Sequence, residues 1–429
     1  MKILKRFILV ILSLILASSI AAAQSIPQAT APEDVGLSKE RLERISAWLK
    51  NDVDKKVIPG AVVMVLRKGK IAYYEAFGYQ DREKNIPMAR NSIFRIYSMT
   101  KPFASLAVMM LAEEGKIQLP VPVSRYLPEF KDMQVGIEKK DPATGKAELV
   151  LEKPNREMTV QDLLRHTSGI TYGVFGAPSM VKDLYKKANL FDLNQTNAEI
   201  VTKLSKLPLQ YQPGTTWDYS LSTDVLARIV EVTSGVDFDV FIAERITKPL
   251  GLKDTAYWAE GADRQSRIAE PAKNLPWIYV GTKKPKWVPG SQGLFSTAQD
   301  YARFCLMLLY GGTRDGVRFV SPRTIKYMTS NHIPPGYKYA SPVQNQIFWP
   351  SPSMETGQGF GLGFAINCEP ERSPLPGSKG DYYWAGVLGT YFWIDPKEEL
   401  IAISMTQEPA QNMPYQHRMR YLVYQAMMD

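Results

Sequence analysis

The chain has 429 residues, of which 45% are hydrophobic and 22% charged, and its formal net charge is +9 at pH 7. This composition is typical of a globular protein and excludes a disordered or collagen-like chain. The excess of cations is modest for this length and no dense Lys/Arg cluster occurs, so the composition argues against nucleic-acid binding.

The first 23 residues differ in character from the rest of the chain. Lys2, Lys5 and Arg6 form a basic start, an apolar run covers 7–17, and three alanines at 21–23 offer a cleavage site. This order is typical of a secretory signal peptide, and the run is short for a membrane anchor. We therefore predict a signal peptide at 1–23 and a secreted or periplasmic protein of residues 24–429. No later segment is long and apolar enough to span a bilayer.

Hydrophobic periodicity and turn residues predict the elements of the exported chain. Their chain order is helix 39–51, strands 61–67 and 71–78 joined by a hairpin, helices from Ser98 to near Gly115 and over 159–165, 198–207, 223–233 and 297–309, strands 361–367, 382–394 and 400–407, and helix 415–428. Residues 331–359 are rich in Pro, Ser, Tyr and Gln, which indicates a long loop.

This order favours an α/β (α+β) fold. Strands occur at both ends of the chain, whereas the region from about 132 to 289 is mostly helical in pattern. We expect the strands to form one antiparallel sheet flanked by helices, with region 132–289 inserted as a helical lobe. A cleft between the two lobes is the default place for a functional site.

A Ser-x-x-Lys motif, Ser98-Met99-Thr100-Lys101, begins the second predicted helix. Because three residues make nearly one helical turn, Ser98 and Lys101 would lie on the same face. A serine hydroxyl needs a nearby proton acceptor to become a nucleophile, and a desolvated lysine can serve as one. The alternative is a surface serine and lysine on an ordinary helix, since the motif is common by chance.

Two later stretches carry further reactive or closely packed groups. Tyr219-Ser220-Leu221 follows a Pro-Gly turn and precedes a helix, and a phenol can act as a general base if its pKa is depressed. The alternative is a packed tyrosine with a hydrogen-bonded hydroxyl. Trp384-Ala385-Gly386 puts small residues in a predicted strand, which indicates close approach of another segment or simply a glycine-containing strand.

The cysteines and histidines argue against other chemistries. Cys305 lies in an apolar helical pattern and is predicted to be a buried free thiol, with Cys368 the second cysteine. The histidines, His166, His332 and His417, lack carboxylate or cysteine partners at ligand spacing, so we expect no metal and no cofactor. The chain also lacks a Gly-x-Ser-x-Gly elbow, which disfavours a Ser-His-Asp α/β-hydrolase.

Taken together, these motifs resemble the serine β-lactamase and penicillin-binding-protein superfamily, most closely class C β-lactamases and family VIII carboxylesterases. The resemblance covers nearly the whole exported chain in the same order. Its motifs are Ser98-Met99-Thr100-Lys101, the Leu163–Gly169 stretch, Gln212-Pro213-Gly214, Tyr219-Ser220-Leu221, Gly293–Thr297 and Trp384-Ala385-Gly386.

The resemblance implies a fold of the β-lactamase type and a role for each matching residue. Ser98 would be the acylated nucleophile, Lys101 would hold or accept its proton, and Tyr219 would be the base for acylation and deacylation. The backbone N–H groups of Ser98 and Val387 would form the oxyanion hole. Val387 is chosen because the family takes its second donor from the residue after the third motif, which Gly386 ends here.

Two departures from the β-lactamase pattern indicate the substrate class. Leu221 stands where β-lactamases have Asn, and Trp384 stands where they have a Lys or His. The missing cation would pair with a substrate carboxylate, whereas an aromatic residue favours apolar acyl or alcohol groups. With Ala385 and Gly386, these two residues are the predicted substrate-binding positions.

Three functional hypotheses remain, and each of them involves a small molecule. The first is an exported carboxylesterase for short-chain esters with weak or no β-lactam hydrolysis. The second is a class C-like β-lactamase or a D-amino-acid-specific peptidase or amidase. The third is a non-catalytic penicillin-binding module, which the retention of Ser98, Lys101 and Tyr219 disfavours.

Overall fold

We analysed a computed structural model of the chain, which describes residues 25–273, 275, 277–333, 336–339 and 356–429. The predicted signal peptide and residues 334–335 and 340–355 of the predicted long loop lie outside the described residues. No helix in the described ranges is long and apolar enough to cross a membrane.

An antiparallel sheet of eight strands forms the centre of the fold. The strands of the described residues are β1 Gly60–Arg67, β2 Lys70–Asp81, β3 Ile86–Pro87, β4 Phe94–Arg95, β5 Val135–Lys140, β6 Ala147–Glu152, β7 Thr216–Trp217, β8 Phe295–Ser296, β9 Thr313–Arg314, β10 Val317–Arg318, β11 Lys338–Tyr339, β12 Gln358–Phe360, β13 Ala365–Asn367, β14 Tyr382–Gly386, β15 Thr390–Asp395 and β16 Leu400–Thr406. The order in the central sheet is β12-β13-β14-β15-β16-β1-β2-β3, and the remaining strands form pairs outside it.

The sheet joins the two ends of the chain, as the sequence predicted. β1 pairs antiparallel with β16, from Ala61 opposite Thr406 to Arg67 opposite Leu400. β1 also pairs with β2 through a tight hairpin in which Lys68 and Gly69 both have positive φ. Every residue of β1 and β16 is buried, so both faces of the central strands are covered.

The helices cover the faces of the sheet and fill the region between β4 and β8. They are α1 Lys39–Asp54, α2 Lys101–Glu113, α3 Val160–Leu164, α4 Met180–Lys187, α5 Asn197–Leu204, α6 Ser222–Ser234, α7 Phe238–Ile242, α8 Gly261–Ser266, α9 Ala298–Leu309, α10 Pro322–Met328 and α11 Asn412–Tyr424. The threonines predicted to start α3 and α9 are their N-caps, since the Thr159 and Thr297 side chains accept from backbone N–H groups three residues on.

The structure corrects two strand predictions. The predicted strand 361–367 begins only at Ala365, because residues 361–364 form the turn that joins β12 to β13, with Gly363 at φ +101°. The predicted strand 382–394 is a hairpin, β14 and β15, and Val387 lies in its turn. Continuous apolar patterns hid both turns, since strands that are buried on both faces lack alternation.

Region 132–289 contributes no strand to the eight-stranded sheet in the part of it that the structure describes. It supplies helices α3 to α8, together with the β5–β6 hairpin, which the sequence did not predict. The division into a sheet lobe and an inserted helical lobe remains a prediction. Helix α2 packs against α6 of this region, and Phe103 of α2 stacks on Phe304 of α9 with ring centroids 4.0 Å apart. Helix α2 is therefore held from both sides.

Candidate active site

Ser98 lies in a single 3₁₀ turn, Tyr97–Thr100, that leads directly into α2. Two hydrogen bonds fix this turn: Tyr301 Oη donates to the Met99 carbonyl at 3.0 Å, and the Leu294 N–H donates to Thr100 Oγ1 at 3.2 Å. Tyr97 adopts φ +42°, a conformation that is costly for an aromatic residue. Packing from the neighbouring elements thus holds Ser98 in a backbone that its own sequence does not favour.

Lys101 is 2% exposed and its amine lies beside the serine. Nζ is 3.2 Å from Ser98 Oγ, and it also donates to Tyr172 Oη at 3.1 Å and to the Ser291 carbonyl at 2.9 Å. Burial lowers the pKa of Lys101 to about 7, although the nearby Asp224 carboxylate acts in the opposite direction. The downward shift of this pKa favours the neutral amine, the form that can accept a proton.

Asp224 is the buried anionic partner of this amine. It lies in the first turn of α6, it is 0% exposed, and its Oδ1 accepts the Ser291 N–H at 3.1 Å. Burial raises the pKa of Asp224 to about 6, and the Lys101 charge opposes that rise. Because the two groups influence one another, their protons leave as a coupled pair.

Tyr219 is the second side chain that contacts Ser98, and its ring centroid lies 4.6 Å from Lys101 Nζ. Its hydroxyl donates to Ser98 Oγ at 2.8 Å. Its ring is packed among aromatic rings, with centroids 5.0 Å from His166, 5.1 Å from Tyr172 and 5.3 Å from Trp384. Burial raises the pKa of Tyr219 well above its ordinary value of 10. The phenol is thus the harder of the two neighbours of Ser98 to deprotonate.

Strand β14 runs close behind the nucleophile. A Cβ on Gly386 would lie 2.3 Å from the Ile96 carbonyl oxygen, so only glycine permits this approach. The close contact that the sequence indicated at this strand is thereby confirmed. It brings Val387 and Ser98 to the wall of the same cavity, as an oxyanion hole built from their N–H groups requires. That role remains a prediction.

Trp384 and Leu221 are buried and are not among the described residues that line the cavity. Trp384 is 1% exposed and its ring packs 5.3 Å from both Tyr219 and Phe360, while Leu221 is 0% exposed. Trp384 therefore packs against the Tyr219 ring. Ala385 and Gly386 are also buried. Substrate binding by these four residues remains a prediction.

The cavity at Ser98 has a volume of about 730 Å³ and a mainly apolar lining. Among its described lining residues, Arg95 is the only one that carries a full charge. The Arg95 guanidinium is already engaged by the Tyr279 and Ala269 carbonyls at 2.6 and 2.8 Å and by Glu270 at 3.1 Å. The part of the cavity lining that the structure describes therefore presents no free guanidinium or ammonium to a substrate carboxylate.

Three partners of Lys101 were missed from the sequence: Tyr172, Asp224 and the Ser291 carbonyl. Asp224 gave the one usable signal, a carboxylate directly before the apolar positions Val225 and Leu226 of α6. Among the described hydrogen bonds, His166 has no such contact with the reacting groups. Its Nδ1 lies 3.1 Å from Ser220 Oγ, and burial lowers its pKa well below 6.5. It acts on Tyr219 by packing, since no hydrogen bond joins it to Ser98 among the described contacts.

The described residues contain no group of three or more His, Cys, Asp or Glu side chains that could hold a metal ion. Cys305 is a buried free thiol, as predicted, and Cys368 is free and partly buried.

Comparison with known proteins identifies the family. The Beta-lactamase family model matches residues 45–426. The chain belongs to the Beta-lactamase family. This assignment confirms the predicted resemblance, and the antiparallel sheet with flanking helices confirms the predicted fold class.

Several known proteins resemble this chain over most of its length. Protein Rv1367c of Mycobacterium tuberculosis (strain ATCC 25618 / H37Rv) is 32% identical over 380 residues, which are 85% of this chain and 90% of the relative. Esterase EstB of Burkholderia gladioli is 27% identical over 384 residues, 86% of this chain and 91% of the esterase. The solved structure of EstCE1, a hydrolase with promiscuous acyltransferase activity, has a TM-score of 0.73 and 25% identity and covers 90% of this chain and 99% of its own. The chain is therefore a serine hydrolase of the β-lactamase fold.

Proposed function

We propose that this protein is an exported carboxylesterase that hydrolyses neutral esters of short acyl chains through an acyl-enzyme on Ser98, with weak or no β-lactam hydrolysis. One observation carries the proposal. The Ser98–Lys101–Tyr219 cluster opens into an apolar cavity whose only described charged lining residue, Arg95, is already paired. The esterase description of EstB, a relative over most of this chain, points the same way.

Lys101 is the proton acceptor for acylation in this proposal. Of the two groups that contact Ser98 Oγ, burial moves the pKa of Lys101 down to about 7 and the pKa of Tyr219 upwards. The neutral amine is therefore the more available base, and it takes the Ser98 proton as Oγ attacks the ester carbonyl. The resemblance implied that Tyr219 is the base and that Lys101 holds or accepts the serine proton, and the pKa directions favour Lys101 as the base.

Tyr219 holds the serine oxygen and serves the leaving group. Its hydroxyl already donates to Ser98 Oγ at 2.8 Å. When the tetrahedral intermediate collapses, the hydroxyl gives its proton to the departing alkoxide and regains one from the Lys101 ammonium. In deacylation, water takes the place of the alcohol and the same proton transfers run in the reverse direction. Water attacks the acyl carbonyl and loses a proton to the Lys101–Tyr219 pair, and Ser98 Oγ regains its proton as the acid leaves. The N–H groups of Ser98 and Val387 stabilise the oxyanion in both halves.

The described residues that line the cavity offer no available cation, which argues against the β-lactamase and peptidase hypothesis. β-Lactams and D-alanyl peptides carry a carboxylate, and a charge-assisted hydrogen bond to it contributes about 1.5–3 kcal/mol. Lys101 is already bound by Ser98, Tyr172 and Ser291, so it is not free to supply that bond. A neutral ester needs no such partner.

Covalent labelling tests the nucleophile. A fluorophosphonate probe should label Ser98 in the wild-type protein, located by peptide mass spectrometry, and should fail to label Ser98→Ala. Ser105→Ala is a matched control, since Ser105 lies in helix α2, which directly follows the Ser98 turn, and it is buried and does not line the cavity. An adduct on another residue would contradict the assignment.

A rate panel tests the substrate class. The value of kcat/KM for p-nitrophenyl butyrate should exceed that for nitrocefin and for a D-alanyl dipeptide. A preference for nitrocefin or the peptide over every neutral ester would replace the esterase proposal by the β-lactamase or peptidase hypothesis.

A further inference from the structure

The mouth of the Ser98 cavity carries large apolar side chains that face solvent. Val174, Phe191, Leu193 and Trp277 line the cavity and are between 42% and 51% exposed. We call these four residues the apolar rim. Single exposed apolar residues are ordinary, but a group of them around one opening marks a surface that contacts something other than water.

The rim is fixed in its exposed position by the layer beneath it. The Phe191 ring lies parallel to Tyr172 with centroids 6.1 Å apart, and the Trp277 ring meets Tyr97 edge-on at 5.7 Å. The loop that carries Val174 is held by the buried Lys182, whose Nζ donates to the Phe175 and Ala177 carbonyls. Since these contacts hold the rim from below, its outer faces remain available.

Exposed lysines accompany the same segments. Lys187 ends the helix that leads to Phe191, while Lys273 and Lys283 flank Trp277 in the chain. Tyr279 of the cavity wall donates to the Lys283 carbonyl at 2.6 Å, which ties this lysine to the mouth. None of the three lysines forms an ion pair with another residue in the described ranges.

Two carboxylates belong to the same segments as the rim and the cavity wall. Asp192 stands between the two rim residues Phe191 and Leu193, and its Oδ1 accepts the Asn194 N–H at 2.9 Å, which leaves its negative charge in place. Glu270 pairs with the buried Arg95. The three unpaired lysines therefore outnumber the single unpaired carboxylate of these segments, and their balance of charge is positive.

We propose that the apolar rim docks on an anionic lipid surface, so that the cavity opens towards the interface and takes its ester from there. Aromatic and aliphatic side chains enter the boundary between headgroups and acyl chains, and surrounding lysines are attracted to anionic headgroups. The supply of an ester from the interface rests on the proposed esterase function, whereas the docking itself does not.

Vesicle binding tests the docking independently of catalysis. Ser98→Ala protein is sedimented with vesicles of phosphatidylcholine alone and with vesicles that contain phosphatidylglycerol as well. We expect binding to the anionic vesicles, weakened by salt because the lysine contribution is screened. The triple variant Phe191→Ser/Leu193→Ser/Trp277→Ser should lower the partition coefficient by about tenfold or more.

A matched control removes apolar side chains of similar exposure elsewhere. Val232, Val236 and Val240 are 39–43% exposed and do not line the Ser98 cavity. Their triple serine variant should bind vesicles as the parent does. In the Ser98→Ala background, the lysine variant Lys187→Gln/Lys273→Gln/Lys283→Gln should lose the preference for anionic vesicles. The same three substitutions in the wild-type chain should leave the turnover of soluble p-nitrophenyl butyrate unchanged. Thermal melting curves should verify that all variants are folded.

Several results would overturn the proposal. These are no binding of the parent protein to anionic vesicles, unchanged binding by the rim variant, or equal loss in the control variant. Sedimentation velocity adds one more: self-association that the rim variant abolishes, without vesicle binding, would make the rim a contact between two copies. Because binding is measured in Ser98→Ala protein, a failure of the esterase proposal leaves this outcome unaffected.

Discussion

The substitution Tyr219→Phe separates catalysis from stability more sharply than any other change at this site. It removes one hydroxyl, which donates to Ser98 Oγ at 2.8 Å, and keeps the ring that packs against His166, Tyr172 and Trp384. Loss of one hydrogen bond costs about 0.5–1.5 kcal/mol of folding free energy, so the Tm should change little. Loss of the proton donor should lower kcat/KM by about 10²–10⁴-fold.

These two magnitudes can be compared in one free-energy scale. A loss of about 10²–10⁴-fold corresponds to about 2.7–5.4 kcal/mol of transition-state stabilisation, several times the expected loss of folding free energy. The assay is steady-state hydrolysis of p-nitrophenyl butyrate, with thermal unfolding followed in parallel. Turnover in Tyr219→Phe within about threefold of wild type, in a folded protein, would refute the role given to this hydroxyl.

Tyr172→Phe is the matched control for this experiment. The Tyr172 hydroxyl contacts Lys101 Nζ at 3.1 Å, and no hydrogen bond joins it to Ser98 in the described contacts. Lys101 keeps the Ser291 carbonyl as a partner at 2.9 Å when Tyr172 is changed. We therefore expect a loss in kcat/KM of about tenfold or less. An equal loss in both variants would show that the effect comes from altered packing of the lysine and not from proton transfer.

The remaining predictions concern the pH profile, the contact behind Ser98 and the buried tryptophan. Because Lys101 must be neutral to accept a proton, kcat/KM should rise with pH and level off above about 7, as a pH series would show; a profile flat across that value would contradict the assignment. Lys101→Ala should lower kcat by about 10²-fold or more, and its effect should be non-additive with Tyr219→Phe, since both serve one proton path. Gly386→Ala should lower both Tm and turnover, because its Cβ would lie 2.3 Å from the Ile96 oxygen; unchanged turnover would mean that the two segments separate freely. Trp384→Lys should lower the Tm by about 5 °C or more, because it puts an ammonium in a buried site against the Tyr219 and Phe360 rings; a stable variant with raised nitrocefin turnover would show that position 384 reaches the substrate.

The sequence was most informative where a residue's local neighbours decide its structure. The start of α3 follows from Thr159 and Asp162, which satisfy each other's backbone donors over three residues. The spacing of Ser98 and Lys101 is local in the same sense, and their atoms do meet, at 3.2 Å. Gly386 was also informative, because a glycine within a strand pattern predicts that another segment approaches closely, as the Ile96 carbonyl does here.

The sequence could not show which distant segments pack together, or how that packing buries the side chains between them. The predicted strand 382–394 is a hairpin because β15 pairs with β16, and an apolar run alone does not contain the position of that turn. Tyr172, Asp224 and Ser291 reach Lys101 from three separate places in the chain, so no local spacing relates them.

The chemistry of the site depends on the same tertiary relations. The resemblance to a family supplied the identities of Ser98, Lys101 and Tyr219, but the pKa of a side chain depends on how completely it is buried. Burial lowers the pKa of Lys101 and raises the pKa of Tyr219, which favours the amine as the base. The same packing places Trp384 behind Tyr219 and away from the cavity. Residue types and short spacings are written in the chain, whereas desolvation and the direction of a side chain arise only when remote segments pack together.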